Sequence, residues 1–224
     1  MTAETEKGDA IAPGNPPMVH RYTLSKRINH WVGAVAIIVL LLSGLSMFHP
    51  SLFFLSAIFG GGQNARAIHP WFGVILFLST IVLFFQFWRL NLWRRSDLAW
   101  TLHIGTLVAG HEEKMPESGK YNAGQKFVFW AQMLLILALF CTGIMIWDRY
   151  FSGMTSIETQ RLALISHAIC ATLVILVLIL HVYAGIWVRG SFTAMIRGWV
   201  PAAWAWRHHR AWLRALIGKP GPAE

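Results

Sequence analysis

The 224-residue sequence predicts an all-α integral membrane protein, a bundle of four transmembrane helices with both termini in the cytoplasm. Three observations carry that expectation. Hydrophobic residues make up 55% of the chain and charged ones only 13%, with a mean hydropathy of +0.49. The apolar residues fall into four blocks, each near the roughly 20 residues a helix needs to cross a hydrocarbon core about 30 Å thick. Lys and Arg are also unevenly shared between the connections. Four precede the first span (Lys7, Arg21, Lys26, Arg27), and six follow the second (Arg89, Arg94, Arg95, Lys114, Lys120, Lys126). Six more follow the fourth (Arg189, Arg197, Arg207, Arg210, Arg214, Lys219), whereas the opposite side has only Arg66, Arg149 and Arg161. The positive-inside rule then turns both ends toward the cytoplasm.

In chain order, residues 1–19 contain Pro13, Pro16 and Pro17 and read as a flexible tail without the apolar core of a signal peptide. Residues 20–200 form the four-helix membrane domain, and 201–224 a basic, Trp-rich cytoplasmic tail. Within the domain, a basic approach at 20–27 leads to a first span at about 28–48 and a linker at 49–66. The second span covers about 67–88, a long polar connection 89–126, and the third span about 127–147. A short loop leads to the fourth span at about 162–189. Beyond it, Trp199, Trp204, Trp206 and Trp212 stand among Arg and His, the pattern of a C-terminal interfacial helix.

The formal charge of +9 flanks apolar spans instead of forming a basic domain of its own. It points to a lipid surface and away from nucleic acid. Cys141 and Cys170 both lie inside spans, which argues against a disulfide framework, an iron–sulfur cluster or a structural zinc on this chain. An internal repeat aligns Ser43-Gly44 near the end of span one with Thr142-Gly143 near the end of span three, and His69 with His167. Gly33, Gly44, Gly73, Gly143 and Gly185 allow close approach of helices or of a flat macrocycle.

Histidines inside the spans are the chemically informative residues, because ionisable groups are costly in hydrocarbon and mark function or pairing. His167 and His181 are 14 residues apart on span four, about 21 Å along the axis and close to four whole turns, so both lie on nearly one face. His30 begins span one at the depth of His181, and His69 begins span two at the depth of His167. Each depth-matched pair offers two axial nitrogens to a haem iron between helices, giving a bundle with two b haems. Zinc or copper suits two lone imidazoles less well, since the coordination sphere stays incomplete. A single histidine that only hydrogen-bonds a neighbouring helix is the alternative for each. His49, before Pro50, competes on the outer side, and His20, His103, His111, His208 and His209 read as solvated cations or headgroup contacts. Arg21, Lys26, Arg27 and Arg66 either offset haem propionates or act as positive-inside anchors. Tyr121, Asn122 and Gln125 reach the cytoplasmic interface at the depth of His30 and His181. Neutral hydrogen-bonding groups there suit a quinone head, although Asn and Gln are also ordinary helix-entry residues.

Five blocks carry a family resemblance: RYTLSKRINHW at 21–31, ARAIHP at 65–70, YNAGQK at 121–126, HVYAGIWVRG at 181–190 and TAMIRGWV at 193–200. Over about 20–210 the chain resembles the gamma subunit of respiratory formate dehydrogenase, a four-span dihaem cytochrome b of the bacterial inner membrane. That resemblance implies two haem b groups, one on His30 and His181 at the cytoplasmic side and one on His69 and His167 at the outer side. It further implies reduction of menaquinone or ubiquinone at Tyr121, Asn122 and Gln125, with electrons from an iron–sulfur beta subunit and a catalytic alpha subunit, in a complex open to higher oligomers. Formate oxidation would belong to those other chains. A cytochrome b subunit of a membrane hydrogenase or thiosulfate reductase is the nearest rival. A haem-free membrane anchor and a histidine-relay transporter are the others, and the near absence of intramembrane carboxylates counts against the last.

Overall fold

The computed structural model describes residues 5–151 and 153–218. Four helices are long and apolar enough to cross a membrane, with spans at Leu24–Phe48, Gly62–Asn91, Ala123–Met145 and Ile157–Trp187. The elements in order are β1 (Ala10–Ala12), β2 (Met18–His20), α1 (Leu24–Phe48), α2 (Gly62–Phe87), α3 (Arg95–Leu102), α4 (Ile104–Val108) and α5 (Ala123–Met145). They continue with α6 (Asp148–Phe151), α7 (Ile157–Trp187), α8 (Ser191–Arg197), β3 (Trp199–Pro201), α9 (Ala202–His208) and α10 (Arg210–Leu216). Large apolar side chains such as Ile38, Phe85, Leu164 and Ile179 are more than half exposed along the spans, as helices solvated by lipid require.

By internal packing the chain divides into two compact units. The first comprises Ile28–Gln86 and Ala131–Leu180. Its small core joins Ala36, Leu76 and Ile136. Phe77 stacks on Phe140 with centroids 3.8 Å apart. Asn29 donates to the Ser79 carbonyl at 3.0 Å, and the Ser79 hydroxyl donates back to the Asn29 carbonyl at 3.1 Å. Gly33 lets α1 and α2 meet there, since a Cβ at that position would stand 3.1 Å from Ser79 Oγ. The linker expected at 49–66 contains a 3-10 helix over Pro50–Phe59. His49 caps it, its Nδ1 accepting the Ser51 N–H at 3.2 Å.

The second unit comprises, among the described residues, those up to Arg27, Phe87–Trp130 and those from His181 to 218; residues 219–224 of the expected tail lie outside the described residues. The segment read as a flexible tail carries two strands of a three-stranded antiparallel sheet, ordered β1-β2-β3; residues 1–4 lie outside the described residues. Val19 pairs with Ile11 on one side and Val200 on the other. The stretch expected as one interfacial helix is broken into α9 and α10. Trp212 there is fully buried with Val19, Tyr22, Tyr121 and Val200, because an apolar core was available to receive it. Two glycines make this packing possible. Gly190 (φ +103°) leaves room for Trp204, whose Nε1 would be 2.7 Å from a Cβ, and Gly198 (φ +86°) passes the Tyr22 carbonyl at the same distance.

Candidate functional site

The helical unit holds one polar constellation of distinct form. His69 on α2 and His167 on α7 face each other with ring centroids 6.4 Å apart and planes at 63°. Each ring is held by the hydroxyl of the preceding long helix. Ser43 Oγ on α1 lies 2.8 Å from His69 Nδ1, and Thr142 Oγ1 on α5 lies 2.9 Å from His167 Nδ1. Each hydroxyl also donates one turn back, Ser43 to the Val39 carbonyl at 2.7 Å and Thr142 to the Ala138 carbonyl at 2.7 Å. A hydroxyl has a single proton, so with that proton on the carbonyl it must accept from the imidazole. Both rings therefore carry their proton on Nδ1, and both Nε2 lone pairs remain as metal donors.

The residue after each hydroxyl is glycine, and at Gly44 the spacing explains why. A Cβ at Gly44 would approach His69 Cε1 to 3.2 Å, and one at Gly143 would approach His167 Cε1 to 3.6 Å. The rings lie against bare backbone. The repeat seen in the sequence is thus a repeated unit in three dimensions, hydroxyl–glycine on one helix and histidine on the next. The hydroxyls are the residues that sequence reading passed over. Their signal was present as a Ser or Thr directly before each aligned glycine.

Residues 21–198 match the prokaryotic cytochrome b561 family. The chain belongs to that family. It is 43% identical over 196 residues to the formate dehydrogenase cytochrome b556(fdo) subunit of Escherichia coli strain K12, covering 88% of this chain and 92% of that one. It is 36% identical over 199 residues to the nitrate-inducible formate dehydrogenase cytochrome b556(Fdn) subunit of the same strain, covering 89% and 92%. A formate dehydrogenase cytochrome b556 subunit of Haemophilus influenzae is 34% identical over 207 residues, covering 92% and 87%.

Membership in a cytochrome b family implies haem b, and the His69–His167 arrangement fits that group. One haem iron held by the Nε2 atoms of both rings would need the two imidazole centroids within about 6–7 Å of each other. The observed separation is 6.4 Å.

The remaining candidates are distributed as follows. His30 is half-buried on α1 in the helical unit, and His181 is exposed on α7 at the start of the last segment of the other unit. Asn122 and Gln125 cap the start of α5 reciprocally, Asn122 N–H on Gln125 Oε1 at 3.1 Å and Gln125 N–H on Asn122 Oδ1 at 3.0 Å. This capping box engages both side-chain oxygens, fixes the amide orientation and leaves the NH₂ groups as donors. Tyr121 packs its ring in the core with Tyr22 and Trp212 and is 7% exposed. Burial first, and then the neighbouring Tyr22 and Glu6, hold its phenol well above the ordinary tyrosine range, so it stays protonated.

Several basic residues find partners within the fold. Arg21 is buried, with its guanidinium over the rings of Tyr22, Tyr121, Trp204 and Trp212. It donates to the Lys120 carbonyl at 2.8 Å and meets His209 Nε2 at 3.1 Å. Lys26 pairs with Glu6, and Arg27 donates to the Ile196 carbonyl. His209, read as a solvated cation, is 2% exposed, with Nδ1 2.8 Å from the Gly119 carbonyl. Burial, then the adjacent Arg21 charge, press its pKa well below 6.5, so it is neutral and accepts from Arg21.

Proposed function

We propose that this chain is the membrane cytochrome b subunit of a respiratory formate dehydrogenase, passing electrons across the inner membrane to quinone near the cytoplasmic side. His69 and His167 would hold one haem b through their Nε2 atoms, and His30 and His181 a second, on the depth matching of α1 and α7. Haem b supplies a one-electron carrier at each site. The protein supplies ligand orientation, a low dielectric and exclusion of water. Electrons would enter from an iron–sulfur subunit paired with a catalytic subunit, as the names of the relatives suggest. The NH₂ donors of Asn122 and Gln125, with the protonated Tyr121 next in sequence, would bind the carbonyls of menaquinone or ubiquinone. The Lys and Arg asymmetry supports both termini in the cytoplasm.

The observation that carries this reading is the opposed, hydroxyl-fixed imidazole pair at 6.4 Å. Haem b per chain, by pyridine haemochrome against protein mass, tests it. Two per chain are expected in the parent, and one in His69→Ala. An unchanged count in His69→Ala would remove that residue from the ligand set. Asn122→Ala should weaken quinone-site inhibitors with haem content intact.

A further inference from the structure

We infer that Ser43 and Thr142 are positioning residues that set the redox potential of the group held by His69 and His167, acting as paired hydrogen-bond acceptors for the two Nδ1 protons. The inference rests on the proposed ligand assignment and extends it to two residues on the other two helices. Each hydroxyl does two things at once. It fixes the tautomer that frees Nε2, and by accepting from Nδ1–H it pushes electron density through the ring toward the metal-binding nitrogen. The backbone strengthens that push. Because each hydroxyl donates at 2.7 Å to a helix carbonyl, its oxygen becomes a better acceptor, and the chain from carbonyl to hydroxyl to imidazole is polarised in one direction.

Geometry sets this apart from incidental polar packing. The same chain occurs twice, with hydroxyl–nitrogen distances of 2.8 and 2.9 Å. In both copies glycine follows, so the ring lies close against its hydroxyl-bearing helix. Ser43 is fully buried and Thr142 half-buried, so solvent cannot substitute well at the first. A more electron-rich imidazole favours ferric over ferrous iron. Deleting either acceptor should therefore raise the midpoint potential of that haem. Removal of such outer partners typically costs about 10–100-fold in metal affinity. A tenfold change in the ferric-to-ferrous preference corresponds to about 59 mV for one electron.

The discriminating variants are Thr142→Val, which keeps the shape and deletes only the hydroxyl, and Ser43→Ala, with Ser43→Thr and Thr142→Ser as conservative controls. Redox titration of the purified complex, followed in the haem absorption bands, is the readout. Expected is a higher midpoint potential, by about 59 mV or tenfold toward ferrous, for one and the same haem component in both deletions. The second component should be unmoved and the conservative variants parental. Unshifted potentials with full haem content would overturn the inference while leaving the ligand assignment standing. Where a deletion loses that haem outright, the controls decide: retention in Ser43→Thr and Thr142→Ser supports the hydroxyl role, and loss in them as well assigns the effect to packing and overturns it. Unaltered haem content and potentials in His69→Ala would overturn both the assignment and the inference.

Discussion

Asp97 offers the sharpest energetic test of how the start of α5 is held. Its carboxylate is 5% exposed and receives Lys126 Nζ at 2.7 Å and the Arg94 N–H at 2.7 Å. Lys126, itself 3% exposed, also donates to the Leu92 carbonyl at 3.1 Å. Asp97→Ala leaves that ammonium buried on a single carbonyl. Breaking a buried pair from one side costs about 3–5 kcal/mol, and the lost cap on Arg94 N–H adds about 1 kcal/mol. For a chain of this size each kcal/mol moves Tm by about 2–4 °C, so the variant should unfold at least about 8 °C lower in detergent. Asp97→Asn keeps the shape and both acceptor contacts. It leaves the ammonium hydrogen-bonded but without a counter-charge, so it should lose less than Asp97→Ala and still fall below the parent. The double variant Asp97→Ala with Lys126→Met should regain most of the loss, since no unpaired charge then remains buried. Thermal unfolding by tryptophan fluorescence measures all three. A Tm for Asp97→Ala within about 2 °C of the parent, or a double variant as unstable as the sum of its parts, would refute the reasoning.

Three further outcomes are expected. Arg21→Ala should destabilise by about 3 kcal/mol in chemical denaturation, because it removes a desolvated cation from four aromatic faces and three hydrogen bonds; Arg21→Lys should recover less than half. His209 is held neutral in the fold, so the unfolded chain binds the proton that the folded one refuses. Stability is therefore full above about pH 6.5 and falls as pH drops below it, by about 1.4 kcal/mol per unit, and His209→Asn should flatten that slope relative to the parent. Gly143→Ala meets ordinary van der Waals contact at 3.6 Å and should keep its haem. Gly44→Ala crowds His69 at 3.2 Å and should lower haem occupancy, read by pyridine haemochrome.

Much of the architecture was legible because membrane insertion is decided locally. A run of apolar residues buries itself in lipid whatever its neighbours do, so four spans follow from hydropathy. Spacing likewise placed His69 and His167 at one depth. The second unit was illegible for the opposite reason. Its strands are three residues each, too short for a period, and its charged residues are neutralised by partners far along the chain. Lys120 is buried against Glu6 and Asp9, and Arg21 against His209, pairings that no local pattern announces.

The sequence by itself therefore determined the class of protein, the number of spans and the charge asymmetry. These depend only on residue type and helical rise. The tertiary structure decided which nitrogen of each imidazole is available. It also decided which amide groups remain as donors at Asn122 and Gln125, and which cations are spent on internal pairing. Those depend on the single proton of a hydroxyl or the two faces of an amide, and a partner for each is chosen only when helices and loops distant in sequence are packed side by side.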